Sequence, residues 1–316
     1  MLTNHCYEPP SQSIWQGRTD TLPNERIFQF VDCINIHNDS LSHTPPSKAL
    51  LGFCSDEGVR RNQGRPGAQF GPDALRRQLA TLAYHGSTRL LDIGNVACSN
   101  NQLETAQYAF SELVSNCHSH DLTTIALGGG HEIAWAHFQG LAPHYRKLGI
   151  INFDAHFDIR IPQSNQQSTS GTPFAQIKQY CDDNHREFHY CCLGIQPSAN
   201  TKSLFERAYS WGIHYLTAEQ MHQEPLSMQL AFLNQFLSQH DAIYLTICMD
   251  VFAESYAPGV SAPQSLGINP TLIIPLLKIV AQSGKVVGLD IAELSPPLDE
   301  HDKTARLAAR LLAELL

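Results

Sequence analysis

Nowhere does this sequence run for the ~20 consecutive apolar residues that a bilayer-crossing helix needs, so no membrane span is expected. Its start, MLTNHCYEPPSQSIWQ, lacks the basic segment followed by an apolar stretch that marks an export signal. Runs of Lys and Arg are missing too, and 21 basic against 30 acidic residues leave a formal charge of −9. That balance argues against nucleic acid or an anionic membrane as the main partner. The nine cysteines are an odd number and show no C-x-x-C spacing, although Cys191 and Cys192 adjoin. Without an export signal they read as reduced, mostly buried thiols of a cytoplasmic protein.

What is present is ordinary in bulk and informative in order. A hydrophobic content of 42% and a charged content of 16% suit a globular chain with a full core. Residues 1–45 are rich in Pro, Ser and Asn, with one helix-like segment near 25–31, and read as an N-terminal arm. No repeat or linker divides residues 46–316, which read as a single α/β domain. Within it, short apolar runs at 49–55, 89–94, 123–127, 148–153, 188–194, 214–216, 242–249 and 286–291 read as strands. Amphipathic segments at 72–82, 101–116, 132–138, 173–180, 226–239, 271–282 and 303–315 read as helices. About eight strands alternating with helices predict a three-layer αβα fold around a mostly parallel sheet.

Ligands of such sheets sit beyond the C-terminal strand ends, and polar residues collect at those ends. GGGHE follows 123–127, DAHFD follows 148–153, Asp250 closes 242–249, and Asp290 to Glu293 close the last strand. In DAHFD, Asp154, His156 and Asp158 alternate, so an extended backbone projects all three to one side. Two carboxylates and an imidazole suit a divalent metal such as manganese; three ordinary polar residues at a solvated strand end are the alternative. GGGHE alone is a tight turn into a helix, but beside DAHFD its His131 is a second imidazole on the same rim. Two metals ~3.5–4 Å apart share a water and need a bridging carboxylate. Asp154 can bridge and Asp250 can be terminal, while the natural second bridge, two residues before Asp250, is Cys248. A thiolate is soft and offers one donor atom, so the second site is expected to be weak. Otherwise Cys248 is simply a small buried strand residue.

GG-x-H, D-A-H-x-D and a late acid, in this order, resemble the ureohydrolase family of arginase and agmatinase, from about residue 45 onward. DEGVRRNQGRPGAQFGPDALR, SGTPF, APGVSAP and the arm's WQGRTD are similar to its formimidoylglutamase branch. The resemblance implies an arginase-like fold, a homo-oligomer and two manganese ions. The first would be held by His131, Asp154 and Asp158. The second would be held by Asp154, His156 and Asp250, with Cys248 where the family has its other bridging Asp. It further implies hydrolysis of N-formimino-L-glutamate to L-glutamate and formamide, with metal-activated hydroxide attacking the formimino carbon. Glu293 would contact the amidine-like group and Asp158 would take the proton. Arg160 stands where arginase has Asn, facing the substrate carboxylate end, and a guanidinium fork suits a dicarboxylate; a surface salt bridge is its other reading. Ser170 replaces the His that agmatinase carries before GTPF. Arg60, Arg61 and Arg65 are candidates for the second carboxylate, although Arg65-Pro66-Gly67 also reads as turn chemistry. Agmatinase-like or guanidino-acid chemistry, and a metal-poor non-catalytic subunit, are the competing functions.

Overall fold

The computed structural model describes residues 6–41, 47–162 and 167–316; residues 1–5 and 42–45 of the expected arm lie outside these. The strands are β1 (Tyr7–Glu8), β2 (Val31–Cys33), β3 (Ser47–Cys54), β4 (Arg89–Ala97), β5 (Thr123–Leu127), β6 (Leu148–Phe153), β7 (His189–Ile195), β8 (His214–Thr217), β9 (Ala242–Cys248) and β10 (Val286–Ala292). The helices are α1 (Glu57–Arg61), α2 (Gly71–Ala80), α3 (Leu103–His118), α4 (Ile133–Leu141), α5 (Pro173–Asp183), α6 (Lys202–Ser210), α7 (Ala218–Gln223), α8 (Leu226–Ser238), α9 (Pro270–Gln282) and α10 (Lys303–Ala313). All eight expected strands are there.

The sheet runs β1-β4-β3-β5-β10-β9-β6-β7-β8, with β2 also on β4. Every pairing is parallel except the short antiparallel contact of β1 with β4. Parallel strands need crossovers, and these helices cover both faces. On one face lie α2, α8, α9 and α10; on the other lie α3, α4, α5 and α6. The strand side chains divide the same way: Ile243, Leu245 and Ile247 pack in the first layer, Ala242 and Tyr244 in the second. This two-sided burial is why LGIINF, wholly buried as β6, shows no polar alternation.

Segments of the expected arm take part in this sheet. The helix-like stretch is a 3-10 turn, Ile27–Phe30, that leads directly into β2. Trp15 is buried, and its Nε1–H donates to Asp92 Oδ2 at 2.7 Å. The other Asp92 oxygen accepts from buried Arg76 at 2.8 Å. Among the described residues no helix is long and apolar enough to cross a membrane.

Candidate metal centre

Four strand ends deliver the site: those of β5, β6 and β9 bring the candidate donors, and that of β10 brings Glu293. After β5 the chain presses against β3: Gly129 N donates to Phe53 O at 2.8 Å and Gly130 N to Ser55 O at 2.9 Å. A Cβ on Gly129 would lie 1.7 Å from Ser55 O, so this approach requires glycine. It sets His131 at the entrance to α4. After β6, Asp154 N still bonds Leu193 O at 2.9 Å, but the chain then leaves the extended conformation. The expectation that DAHFD converges by strand alternation is therefore corrected. The loop turns instead through Asp158, whose φ is +48°, in a region that costs a non-glycine residue strain. Asn200 holds that loop, accepting from Phe157 N at 3.1 Å and donating to Ala155 O at 2.8 Å. After β9, a 3-10 turn over Met249–Val251 places Asp250 beside Cys248.

The donor atoms meet in two groups that share one carboxylate. His131 Nδ1 is 2.9 Å from Asp154 Oδ2 and 3.0 Å from Asp158 Oδ2. His156 Nδ1 is 3.5 Å from Asp154 Oδ1 and 3.2 Å from Asp250 Oδ2. Thus the two oxygens of Asp154 face different imidazoles. Donor atoms of His131, Asp154 and Cys248 lie within 4.8 Å of one another, as do those of Asp154, His156 and Asp250. His131 Nε2, on the far side of the ring, is 3.0 Å from Thr246 Oγ1, which leaves Nδ1 to face the carboxylates.

The electrostatics fit a cation at this place. Asp154, Asp250, Glu293 and Cys248 are buried together, and no Lys or Arg pairs with them among the described residues. Asp250 Oδ1 and Glu293 Oε2 are buried without a hydrogen-bond partner there, an expensive state for carboxylate oxygens. Burial and Asp154 push Asp158 up to about 6, and the same two causes raise Asp250. Burial, Glu132 and Asp250 raise Glu293 well above the carboxylate range. Burial and the surrounding carboxylates do the same to the Cys248 thiol. Burial opposes protonation of His131, but Asp154 and Asp158 outweigh it and raise that imidazole. A crowd of hard oxygens and imidazoles that distorts its own ionisation is what a divalent ion relieves.

Above this floor opens a cavity of about 340 Å³. His131, His156, Asp158, Asp250, Cys248 and Glu293 reach it from below, and Arg65, Arg160, Ser170 and Asn62 line its wall. Arg160 carries no side-chain ion pair or hydrogen bond among the described residues, so its guanidinium is free to meet a ligand. Arg65 is already engaged, donating to Ser261 O at 2.9 Å and Val260 O at 2.7 Å. The structure does not bring Arg60 and Arg61 to the cavity: Arg60 pairs with Glu57, and Arg61 bonds Glu57, Glu104 and the Ser168 carbonyl. Asp290 is not at the rim either; it is buried between His137 and Tyr244. Sequence reasoning missed Asn62, Asn200 and Thr246. Only Thr246 had a signal, since alternation along β9 sets it on the side of Cys248.

Residues 47–316 match the arginase family. The chain is 53% identical over 311 residues to the formimidoylglutamase of Legionella pneumophila, covering 98% of this chain and 97% of that one. It is 38% identical to the formimidoylglutamase of Clostridium tetani, covering 98% and 95%. Among solved structures, formimidoylglutamase from Bacillus subtilis superposes with a TM-score of 0.80 at 22% identity, over 92% of this chain and 90% of that one. Trypanosoma cruzi formiminoglutamase, determined with Mn2+, gives 0.80 at 21% identity, over 92% and 97%. Profile, relatives and three-layer architecture agree: the chain belongs to the arginase, or ureohydrolase, family.

Proposed function

We propose that this chain hydrolyses N-formimino-L-glutamate to L-glutamate and formamide and that manganese is its cofactor. His131 Nδ1, Asp154 and Asp158 would hold one ion; Asp154, His156 and Asp250 would hold the second, with Cys248 beside the shared carboxylate. When bound, the ions supply Lewis acidity and lower the pKa of a water.

The chain's own groups do the rest. Glu293 keeps Oε1 on the His131 backbone N–H at 2.9 Å, so Oε2 is left for the N–H groups of a formiminium cation. Its φ of +67° is strain of the kind that persists where a site needs it. Asp158 borders both the cluster and the cavity, and a carboxyl oxygen there accepts the proton that the attacking water gives up. Arg160 takes a substrate carboxylate as a bidentate fork and repels the cationic tails of arginine and agmatine. Asn62 donates to Ser170 Oγ at 3.2 Å, which adds a neutral polar wall beside it.

The unpaired guanidinium of Arg160 above an acid–imidazole floor carries this reading, supported by the full-length identity to formimidoylglutamases. Purified protein supplied with manganese should turn over formiminoglutamate and leave agmatine, arginine and guanidino acids largely untouched. Absence of formiminoglutamate hydrolysis under those conditions overturns the proposal.

A further inference from the structure

Asp290 stands inside the sheet, where a carboxylate needs a reason. A line of buried polar side chains runs through it toward the candidate metal centre. Thr246 Oγ1 is 3.0 Å from His131 Nε2, and its hydroxyl eases the ionisation of Tyr244, two residues earlier on the same face of β9. Tyr244 bonds Asp290 Oδ2, and His137 Nδ1 reaches the same oxygen at 3.2 Å. Beyond it, His137 Nε2 lies 2.8 Å from Thr124 Oγ1, and Thr124 lies 3.1 Å from His118 Nε2. His118 Nδ1 ends the run, 3.1 Å from the Tyr145 hydroxyl. The sheet register builds this line, since Thr246 opposes Asp290 and Tyr244 opposes Gly288. Gly288 leaves room for the His137 ring, because a Cβ there would stand 3.0 Å from its Nε2.

The donors sort themselves. A carboxylate only accepts, so Tyr244 donates its proton to Asp290, and its oxygen is left to accept the proton of Thr246. Thr246, its own proton given away, accepts Nε2–H of His131. Without a metal, Nδ1 of His131 also carries a proton toward Asp154 and Asp158; with that proton displaced, Nδ1 is the lone pair left to face an ion. From the other side, His137 donates Nδ1–H to Asp290, accepts from Thr124, and Thr124 accepts from His118. Both runs end on one oxygen. Burial presses His118 down to about 3 and so keeps it neutral, as this wiring needs. Asp290 Oδ1 has no partner among the described residues, a cost that core packing does not explain.

We infer that Asp290 is a positioning residue for the metal centre: through Tyr244 and Thr246 it fixes the tautomer of His131 and strengthens Nδ1 as a metal donor. Ligating histidines commonly donate their second N–H directly to a carboxylate; here two hydroxyls intervene. The inference rests on the metal reading above.

Manganese titrated calorimetrically into the metal-free protein tests it, together with thermal melts. Tyr244→Phe cuts the line between Asp290 and Thr246 while keeping the ring, and Thr246→Val cuts it next to His131. Each should weaken one manganese site by roughly 10–100-fold, with KM for formiminoglutamate unchanged at saturating metal. Thr124→Val cuts only the far run and should lower the melting temperature without changing manganese affinity. Wild-type affinity in Tyr244→Phe, or equal weakening in Thr124→Val, overturns the inference. The wild type separates the two readings. If it takes up no manganese, the metal reading falls and the relay with it; if it binds and Tyr244→Phe binds equally, only the relay falls.

Discussion

Cys248 is the residue at which this centre departs most from an all-oxygen, all-imidazole donor set. Its sulfur lies with His131 and Asp154, and burial together with Asp154, Asp250 and Glu293 resists formation of the thiolate. A hard ion gains little from a single soft donor that must first lose a reluctant proton. Dialysed wild type should therefore retain about one manganese per chain, and Cys248→Asp about two, counted by atomic emission. Equal counts in the two proteins would show that Cys248 is not at a ligand position. Arg160 is tested by kinetics instead. Deleting a charged hydrogen-bonding partner of a substrate carboxylate removes about 1.5–3 kcal/mol of binding. Arg160→Ala should raise KM for formiminoglutamate by roughly 10–100-fold with kcat little changed, and an unaltered KM refutes the assignment. Residues 131, 154, 156, 158 and 250 stood out as candidate donors from the strand ends they follow and from the family resemblance. How they converge could not be read, because the loop that carries Asp158 at positive φ is tied to Asn200, far along the chain. Arg60 and Arg61 could have been set apart from Arg160 by spacing, since Glu57 pairs with them at i,i+3 and i,i+4; only the further capture of Arg61 by Glu104 is a tertiary event.

At the level of elements, the long buried strands were legible because burial on both faces writes continuous apolar runs. The edge was not. β1 and β2 are two and three residues long, too short for any periodic signal, and they owe their place to pairing with β4. α6 and α7 were overlooked for a related reason: α6 buries only Leu204 and Ala208, and α7 only Ala218 and Met221. The N-terminal segment is held by a side chain as well as by backbone. Trp15 donates into Asp92, whose other oxygen serves the buried Arg76, so one acid ties two segments together. Trp15→Phe keeps the ring but strands Asp92 Oδ2, which should cost about 1–3 kcal/mol. The measurement is the urea midpoint of the metal-loaded protein, with formiminoglutamate turnover as a control that should stay constant. A midpoint equal to that of the wild type would mean that the indole bond contributes nothing.

For the whole molecule, the candidate metal centre is a local concentration of charge that the rest of the fold must carry. Asp158 is held at about 6 and the His131 and His156 imidazoles are raised, so the metal-free fold binds more protons at this centre than the unfolded chain does. Groups with folded pKa values above their unfolded ones stabilise at low pH and lose that contribution as pH rises through the folded values. Raising the pH from 6 toward 8 should therefore lower the stability of the metal-free protein. Manganese responds in the opposite sense, because it binds neutral imidazole and ionised carboxylate and must displace those protons. Bound metal stabilises by mass action, about 2.7 kcal/mol at one hundred times its dissociation constant. The gap in melting temperature between manganese-loaded and chelator-treated protein should thus widen from pH 6 to pH 8. Taking the difference at each pH cancels every group that titrates alike in both forms, so the result reports on this centre. A gap that is constant or narrows over that range would mean that these buried residues do not take up the ion.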